Sequence, residues 1–146
     1  MKFLTLILGI LLILIIAFLA LNYLLPKTPR IAINGHTFNL YLAETSQEQE
    51  IGLAKYKSIG LNQGMIFLFD RADYYSFWMK DMKFPIDIIF IQNNKVVDVF
   101  QKVPVSPSED LPVYTTRTKA NKVLEINAGL AKKDNIEIGD LVKLSL

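Results

Sequence analysis

The stretch "FWMKDMKFPIDIIFI", residues 77–91, decides the fold because it places charged residues and large hydrophobic residues around a single proline. After Pro85, both faces of an extended strand would be apolar, which predicts a strand buried on two sides with Asp87 near its start. Pro85 has no backbone N–H donor, so it favours a bend or a strand edge. The stretch therefore predicts two extended pieces hinged near Pro85, with Trp78 and Lys80 before the hinge.

The N-terminal segment, residues 1–25, has no charged residue between Phe3 and Leu21. About 19 apolar residues at about 1.5 Å per residue span a hydrocarbon core of about 30 Å, which predicts a transmembrane helix. Phe18 stands where a signal peptide carries a small residue before its cleavage site, so we favour a retained anchor over a cleaved signal peptide. The very short N-terminus then predicts that residues 26–146 lie outside the cytoplasm.

The remaining chain consists of a short basic linker, residues 26–30, and one soluble domain, residues 31–146. Many short strand patterns and few helical ones predict a mostly β, α+β fold: a compact barrel-like or curled antiparallel sheet of about seven strands with two short helices, preceded by one N-terminal transmembrane helix. The proline-rich residues 103–118 are expected to form a surface loop. Membrane contact is expected through residues 3–25. Outside the anchor, acidic and basic residues nearly balance, which indicates no nucleic acid partner.

Short local signals predict where the turns and helices begin. Asn34-Gly35 between two alternating apolar runs predicts a β-hairpin. Ser46 and Gln49 have the spacing of a capping box, which predicts the start of the first short helix. Asn127 is expected to cap the second short helix.

Polar side chains occur in the apolar segments where the strands are expected to bend. Glu125 lies between two apolar residues of a predicted strand, and an ionised carboxylate that leaves water needs a partner. One interpretation is a groove, lined by Trp78, that binds a peptide, an envelope glycan or a membrane-protein partner. The candidate binding residues of this groove are Trp78, Lys80, Asp81, Asp87, Glu125 and Asn127.

Two other interpretations remain open. Asp87 and Glu125 could form the carboxylate pair of a hydrolase, which needs a separation of about 5–10 Å. Alternatively, the charges are purely structural and satisfy backbone groups where the sheet bends. The chain has no Cys, no glycine-rich phosphate loop and a single His, His36, without recognisable triad partners. No catalytic residue, metal ligand or cofactor is therefore assigned.

Several segments of the chain resemble one known family, domain of unknown function 192. These segments are "IGLAKY" (51–56), "LNQGMIFLF" (61–69), "FWMKDMKFPIDIIFI" (77–91), "VLEINAG" (123–129) and "IGDLV" (138–142). The resemblance covers about residues 38–144. It implies a compact β-rich, barrel-like domain of bacteria and archaea, often behind a signal or anchor segment, with no established activity. The recurring polar positions of the family fall on Trp78, Lys80, Asp87, Glu125 and Asn127.

This chain departs from the family's usual pattern in several places, including a turn at Asp134-Asn135 that is longer than usual. Ala54-Lys55-Tyr56 stands where the family usually has Met-Phe-Arg, and Asp81 stands where it often has Asn. No role of that Arg or Asn can therefore be carried over to this chain.

Overall fold

The computed structural model describes residues 2–24, 28–106 and 111–146. The helical elements are α1 (Lys2–Leu24), α2 (Ser46–Ile51), a 3₁₀ turn (Gly52–Lys55) and α3 (Leu130–Lys133). The strands are β1 (Arg30–Ile33), β2 (His36–Ala43), β3 (Gln63–Asp73), β4 (Ser76–Trp78), β5 (Ile86–Gln92), β6 (Lys95–Val103), β7 (Val113–Thr115), β8 (Ala120–Asn127) and β9 (Val142–Ser145).

The N-terminal segment is helical over α1. Within the part of the chain that the structure describes, however, no helix is long and apolar enough to cross a membrane. The expected transmembrane helix is therefore not supported there, and membrane attachment stays a prediction. Of the predicted linker, residues 26–27 lie outside the described residues, and Arg30 already belongs to β1.

Seven strands form one curled sheet in the order β6-β5-β8-β3-β2-β1-β9. Its two edges approach each other, because Val96 N donates to Asp140 O (2.9 Å) and Gly139 N donates to Val96 O (2.8 Å). The predicted mostly β, α+β fold with a curled sheet is confirmed. The sheet is not purely antiparallel, since β2 and β3 run parallel. The connection between these two strands contains α2 and the 3₁₀ turn, which is long enough to return the chain in the same direction.

The bend near Pro85 is confirmed. β4 lies before it and pairs with β7 in a separate two-stranded sheet, whereas β5 lies after it inside the main sheet. All residues from Ile86 to Ile91 are buried. Ile89 and Ile91 pack in one apolar cluster, and Ile88 and Phe90 pack in another on the opposite face. β5 therefore separates two cores, as its apolar pattern predicts.

The cap of α2 differs by one residue from the prediction. The Thr45 hydroxyl accepts from Glu48 N (3.2 Å), and the Glu48 carboxylate accepts from Thr45 N (3.0 Å). The prediction of Ser46 and Gln49 was wrong because the pair one residue earlier has the same spacing and a carboxylate as acceptor. Gln49 is thereby left to donate to backbone carbonyl groups at β2 and β3.

Candidate functional site

A cleft of about 150 Å³ lies between the end of α2, the strand β4 and the face of the main sheet that carries Ile88. Five aromatic side chains form part of its wall, and its floor contains a carboxyl group, that of Glu125. The aromatic side chains that line it are Phe67, Phe69, Tyr75, Phe77 and Trp78. The cleft is thus a small space with a mixed polar and apolar lining and one buried ionisable group.

Glu125 lies on β8 between two apolar neighbours, Met65 on β3 and Ile88 on β5. Glu125 as a whole residue is 5% exposed, and its Oε2 has no hydrogen-bond partner among the described residues. Burial raises the pKa of Glu125 to about 8, because the ionised form has lost its water. At neutral pH this carboxyl is therefore mostly protonated and needs both a donor and an acceptor.

Gly52 allows the backbone to pass closely over this carboxyl. A Cβ at Gly52 would lie 3.3 Å from Phe67 Cζ and 3.8 Å from Glu125 Oε2. The residue also has a φ of 53°, which a side chain would strain. The capping box of α2 directs the chain to this point, so a local helix signal builds one wall of the cleft.

The aromatic wall is held by ring contacts and one hydrogen bond. Phe69 and Tyr75 stack with their centroids 3.7 Å apart, and Phe67 meets Phe77 edge-on at 4.9 Å. The Tyr75 hydroxyl donates to Arg71 O (2.9 Å), and burial raises the pKa of Tyr75, so the phenol stays neutral. The wall therefore contributes π faces but no negative charge.

Three of the predicted groove residues meet at this cleft: Trp78, Lys80 and Glu125. Trp78 is 48% exposed and forms the rim, and the Lys80 ammonium lies 5.5 Å from the centre of its ring. This distance is that of a cation–π contact. The helix side of the cleft, with Glu50 and Gly52, was missed because its sequence shows only a helix start.

Asp87 does not belong to this cleft, although it is fully buried. In the pairing of β5 with β8, Ile88 lies opposite Glu125, whereas Asp87 lies opposite Ile126. Because successive side chains of a strand point to opposite faces, the two carboxyl groups lie on opposite faces of the sheet. The carboxylate pair that a hydrolase would need is not formed.

The carboxylate of Asp87 accepts backbone hydrogen bonds instead. Lys102 N (2.6 Å) and Gly129 N (3.0 Å) donate to its Oδ1, and Ala131 N (2.7 Å) donates to its Oδ2. These hydrogen bonds satisfy one backbone N–H group of β6 and two backbone N–H groups at the start of α3. The predicted capping of α3 by Asn127 is wrong, because Asp87 takes that role from a neighbouring strand.

Asn127 and Asp81 also lie apart from the cleft. Asn127 Nδ2 donates to Ile59 O (3.2 Å) and Gly60 O (3.0 Å), so it fixes the loop before β3. Asp81 is exposed and lines a neighbouring depression of about 220 Å³ that also contains Lys80. In the described part of the chain, no group of three or more His, Asp or Glu side chains is placed to hold a metal ion.

A further buried acid, Asp98 on β6, is not among the residues predicted from the sequence. It accepts from the Arg117 backbone N (2.8 Å), from the Arg117 guanidinium and from Val99 N (2.9 Å). Burial by itself would raise the pKa of Asp98, but the hydrogen bonds from Arg117 and Val99 hold that pKa below its usual value. One feature of the sequence could have indicated a buried Asp98: it lies two residues before Phe100 and therefore on the same face of β6. The Arg117 guanidinium lies over the ring of that Phe100.

Comparisons with known proteins give the family and no activity. A protein of unknown function from Novosphingobium aromaticivorans is 34% identical, with 78% of this chain and 83% of that chain covered and a TM-score of 0.71. A candidate transcription regulator from Sinorhizobium meliloti is 26% identical, with 81% and 94% covered and a TM-score of 0.72. No curated protein matches the chain significantly. Over residues 29–144 the chain matches domain of unknown function 192, described as uncharacterized ACR, and it belongs to this family.

Proposed function

We propose that the domain is a binding module whose cleft receives one polar group of a ligand at Glu125. The observation that carries this proposal is the buried Oε2 of Glu125, which has no hydrogen-bond partner among the described residues. Buried polar groups are nearly always hydrogen-bonded, and an unsatisfied one costs about 1–3 kcal/mol. A ligand that supplies the partner recovers this free energy on binding.

The shape of the surface favours a ligand that presents one side chain. The cleft, of about 150 Å³, is too small for a drug-sized ligand, for which about 300 Å³ is a lower bound. The neighbouring depression of about 220 Å³ shares Glu50, Ile51 and Lys80 with the cleft. A peptide segment or a protein partner can therefore place one side chain in the cleft while its backbone continues over Lys80.

The binding proposal is tested with the intrinsic fluorescence of Trp78, which is the single Trp of the chain. The full chain in mild detergent is titrated with blocked tripeptides, each carrying a different central residue, and with envelope oligosaccharides. At least one tripeptide should change the fluorescence saturably. Glu125→Gln should weaken that binding about tenfold, which corresponds to one lost hydrogen bond to a charged or buried group.

Glu137→Gln is the matched control for this substitution, because Glu137 is an exposed acid outside the cleft. It should leave the binding unchanged. The binding proposal fails if no compound gives a saturable signal, or if both variants lose binding equally.

We further propose that residues 3–25 attach this module to a membrane, with the domain outside the cytoplasm. The support is the uncharged apolar run of the sequence alone. After carbonate washing, the full chain should sediment with membranes, and protease added to spheroplasts should digest the domain. Recovery of the full chain in the soluble fraction would contradict the attachment, and protection from the protease would contradict the orientation.

A further inference from the structure

The buried acid of the cleft is not neutralised by any cation of the described chain. The ionisable groups that face it are Glu50 from α2, Tyr75 from the segment before β4 and Lys80 from the turn after β4. Lys80 forms no ion pair with Glu125 among the described residues, since its ammonium lies over the Trp78 ring. The strands on either side of β8 contribute only apolar neighbours.

The surrounding aromatic rings suit a cation. The face of an aromatic ring carries negative potential and attracts an ammonium within about 6 Å of the ring centre. Lys80 already demonstrates this at the rim, at 5.5 Å from the Trp78 ring. An aromatic wall above an unpaired carboxyl is therefore an environment in which a positively charged donor is stabilised from two sides.

We propose that the cleft binds a primary alkylammonium group, which donates its N–H to Glu125 while its alkyl chain contacts the aromatic wall. This inference rests on the proposed binding function and names its ligand class. A cleft of about 150 Å³ accommodates one unbranched alkyl chain. An ammonium offers three donors, so it satisfies Oε2 without help from the protein. The same group is found on a lysine side chain and on a free amine.

Binding of this group should release a proton. The pKa of Glu125 is raised to about 8 by burial, so the carboxyl is mostly protonated at pH 7 and has to ionise when an ammonium arrives. The affinity should therefore be about tenfold higher at pH 9 than at pH 7. At pH 7, close to one proton should be released for each ligand bound. The lysine ammonium, with a pKa of about 10.4, is still charged at pH 9.

The experiment uses the full chain in mild detergent, isothermal titration calorimetry and Trp78 fluorescence. The probes are Nα-acetyl-lysine amide and its Nε-acetylated form, which differ by the positive charge. The charged probe should bind at least about tenfold more tightly than the acetylated one, since an ion-paired donor is lost on acetylation. Titrations in two buffers of different ionisation enthalpy count the released protons.

Two variants assign the effect to Glu125. Glu125→Gln should abolish both the preference for the charged probe and the pH dependence, whereas Glu137→Gln, at an exposed acid outside the cleft, should retain them. Pentylamine and a lysine tripeptide distinguish the two sources of the group: equal affinities indicate that a free amine suffices, and tighter binding of the tripeptide indicates a polypeptide. Both results agree with the proposal.

Equal affinity of the charged and acetylated probes, or an affinity that does not change with pH, overturns the ammonium proposal. The general binding function would still stand if another tripeptide binds. The probe comparison and the proton count use the unmodified protein, so they remain decisive even if Glu125→Gln does not fold.

Discussion

At the scale of single residues, the chain shows how the same chemical group takes two roles. Asp87 and Glu125 are both buried carboxyl groups on adjacent strands. Asp87 meets three backbone N–H groups, so its acceptor capacity is used within the fold. Glu125 is surrounded by apolar neighbours and lines the cleft, so its Oε2 can still accept a hydrogen bond from a ligand. The neighbouring groups, and not burial alone, separate the structural acid from the candidate binding acid.

Asp87→Asn should destabilise the domain. The amide keeps one acceptor oxygen but places its NH₂ group against backbone donors, so at least one buried N–H loses its partner. We expect the free energy of unfolding in urea to fall by about 2–3 kcal/mol. Binding at the cleft, on the other face of the sheet, should be retained in the folded fraction.

The control for this substitution is Asp81→Asn. Asp81 is exposed and has a φ of 59°, a conformation that Asn adopts readily. Its unfolding free energy should stay within about 0.5 kcal/mol of the unmodified protein. Equal stability of Asp87→Asn and Asp81→Asn would show that Asp87 is not the structural residue described here.

At the scale of elements, the two-stranded sheet connects the cleft to a distant ion pair. Trp78 on β4 pairs with Val113 on β7. In the segment after β7, the backbone N–H and the guanidinium of Arg117 donate to the carboxylate of the buried Asp98. The rings of Phe77, Phe90, Phe100 and Tyr114 contact one another successively at 5.5–5.9 Å between β4 and β7. The rim of the cleft is therefore supported by contacts that lie outside it.

Arg117→Ala should loosen this small sheet before it affects the main one. The substitution removes the guanidinium from Asp98 and from the Phe100 ring, while the backbone hydrogen bond to Asp98 remains. Amide hydrogen exchange should become at least about tenfold faster in β4 and β7, because local opening needs less free energy than global unfolding. Exchange in β5 and β8 should not change. An equal increase in all strands would contradict this division.

At the scale of the whole molecule, the sequence predicts the framework better than the site. The φ values of 50° and 80° at Asn34-Gly35 confirm the predicted hairpin, and the apolar run after Pro85 correctly predicts a strand buried on two faces. Strand parity could not assign Asp87, because its partners come from β6 and from the start of α3. The cleft itself joins α2 and β8, which are far apart in the chain, and no local pattern indicates that approach.

The stability of the whole domain should depend on the ionisation of Glu125. Well below pH 4.5, this residue is protonated in both the folded and the unfolded state, so its ionisation does not affect stability there. Between pH 4.5 and about 8, the unfolded chain loses this proton while the folded domain keeps it, so stability falls as pH rises. At about 1.4 kcal/mol per pH unit, the loss is on the order of 5 kcal/mol, and it levels off above pH 8.

Glu125→Gln lacks this loss and should therefore be more stable than the unmodified chain at pH 8, with similar stability at pH 4.5. Urea unfolding of both proteins across this range, with Glu50→Gln as the control that follows the unmodified chain, measures the difference directly. Parallel stability curves for Glu125→Gln and the unmodified chain would show that Glu125 ionises as readily in the folded domain as in water.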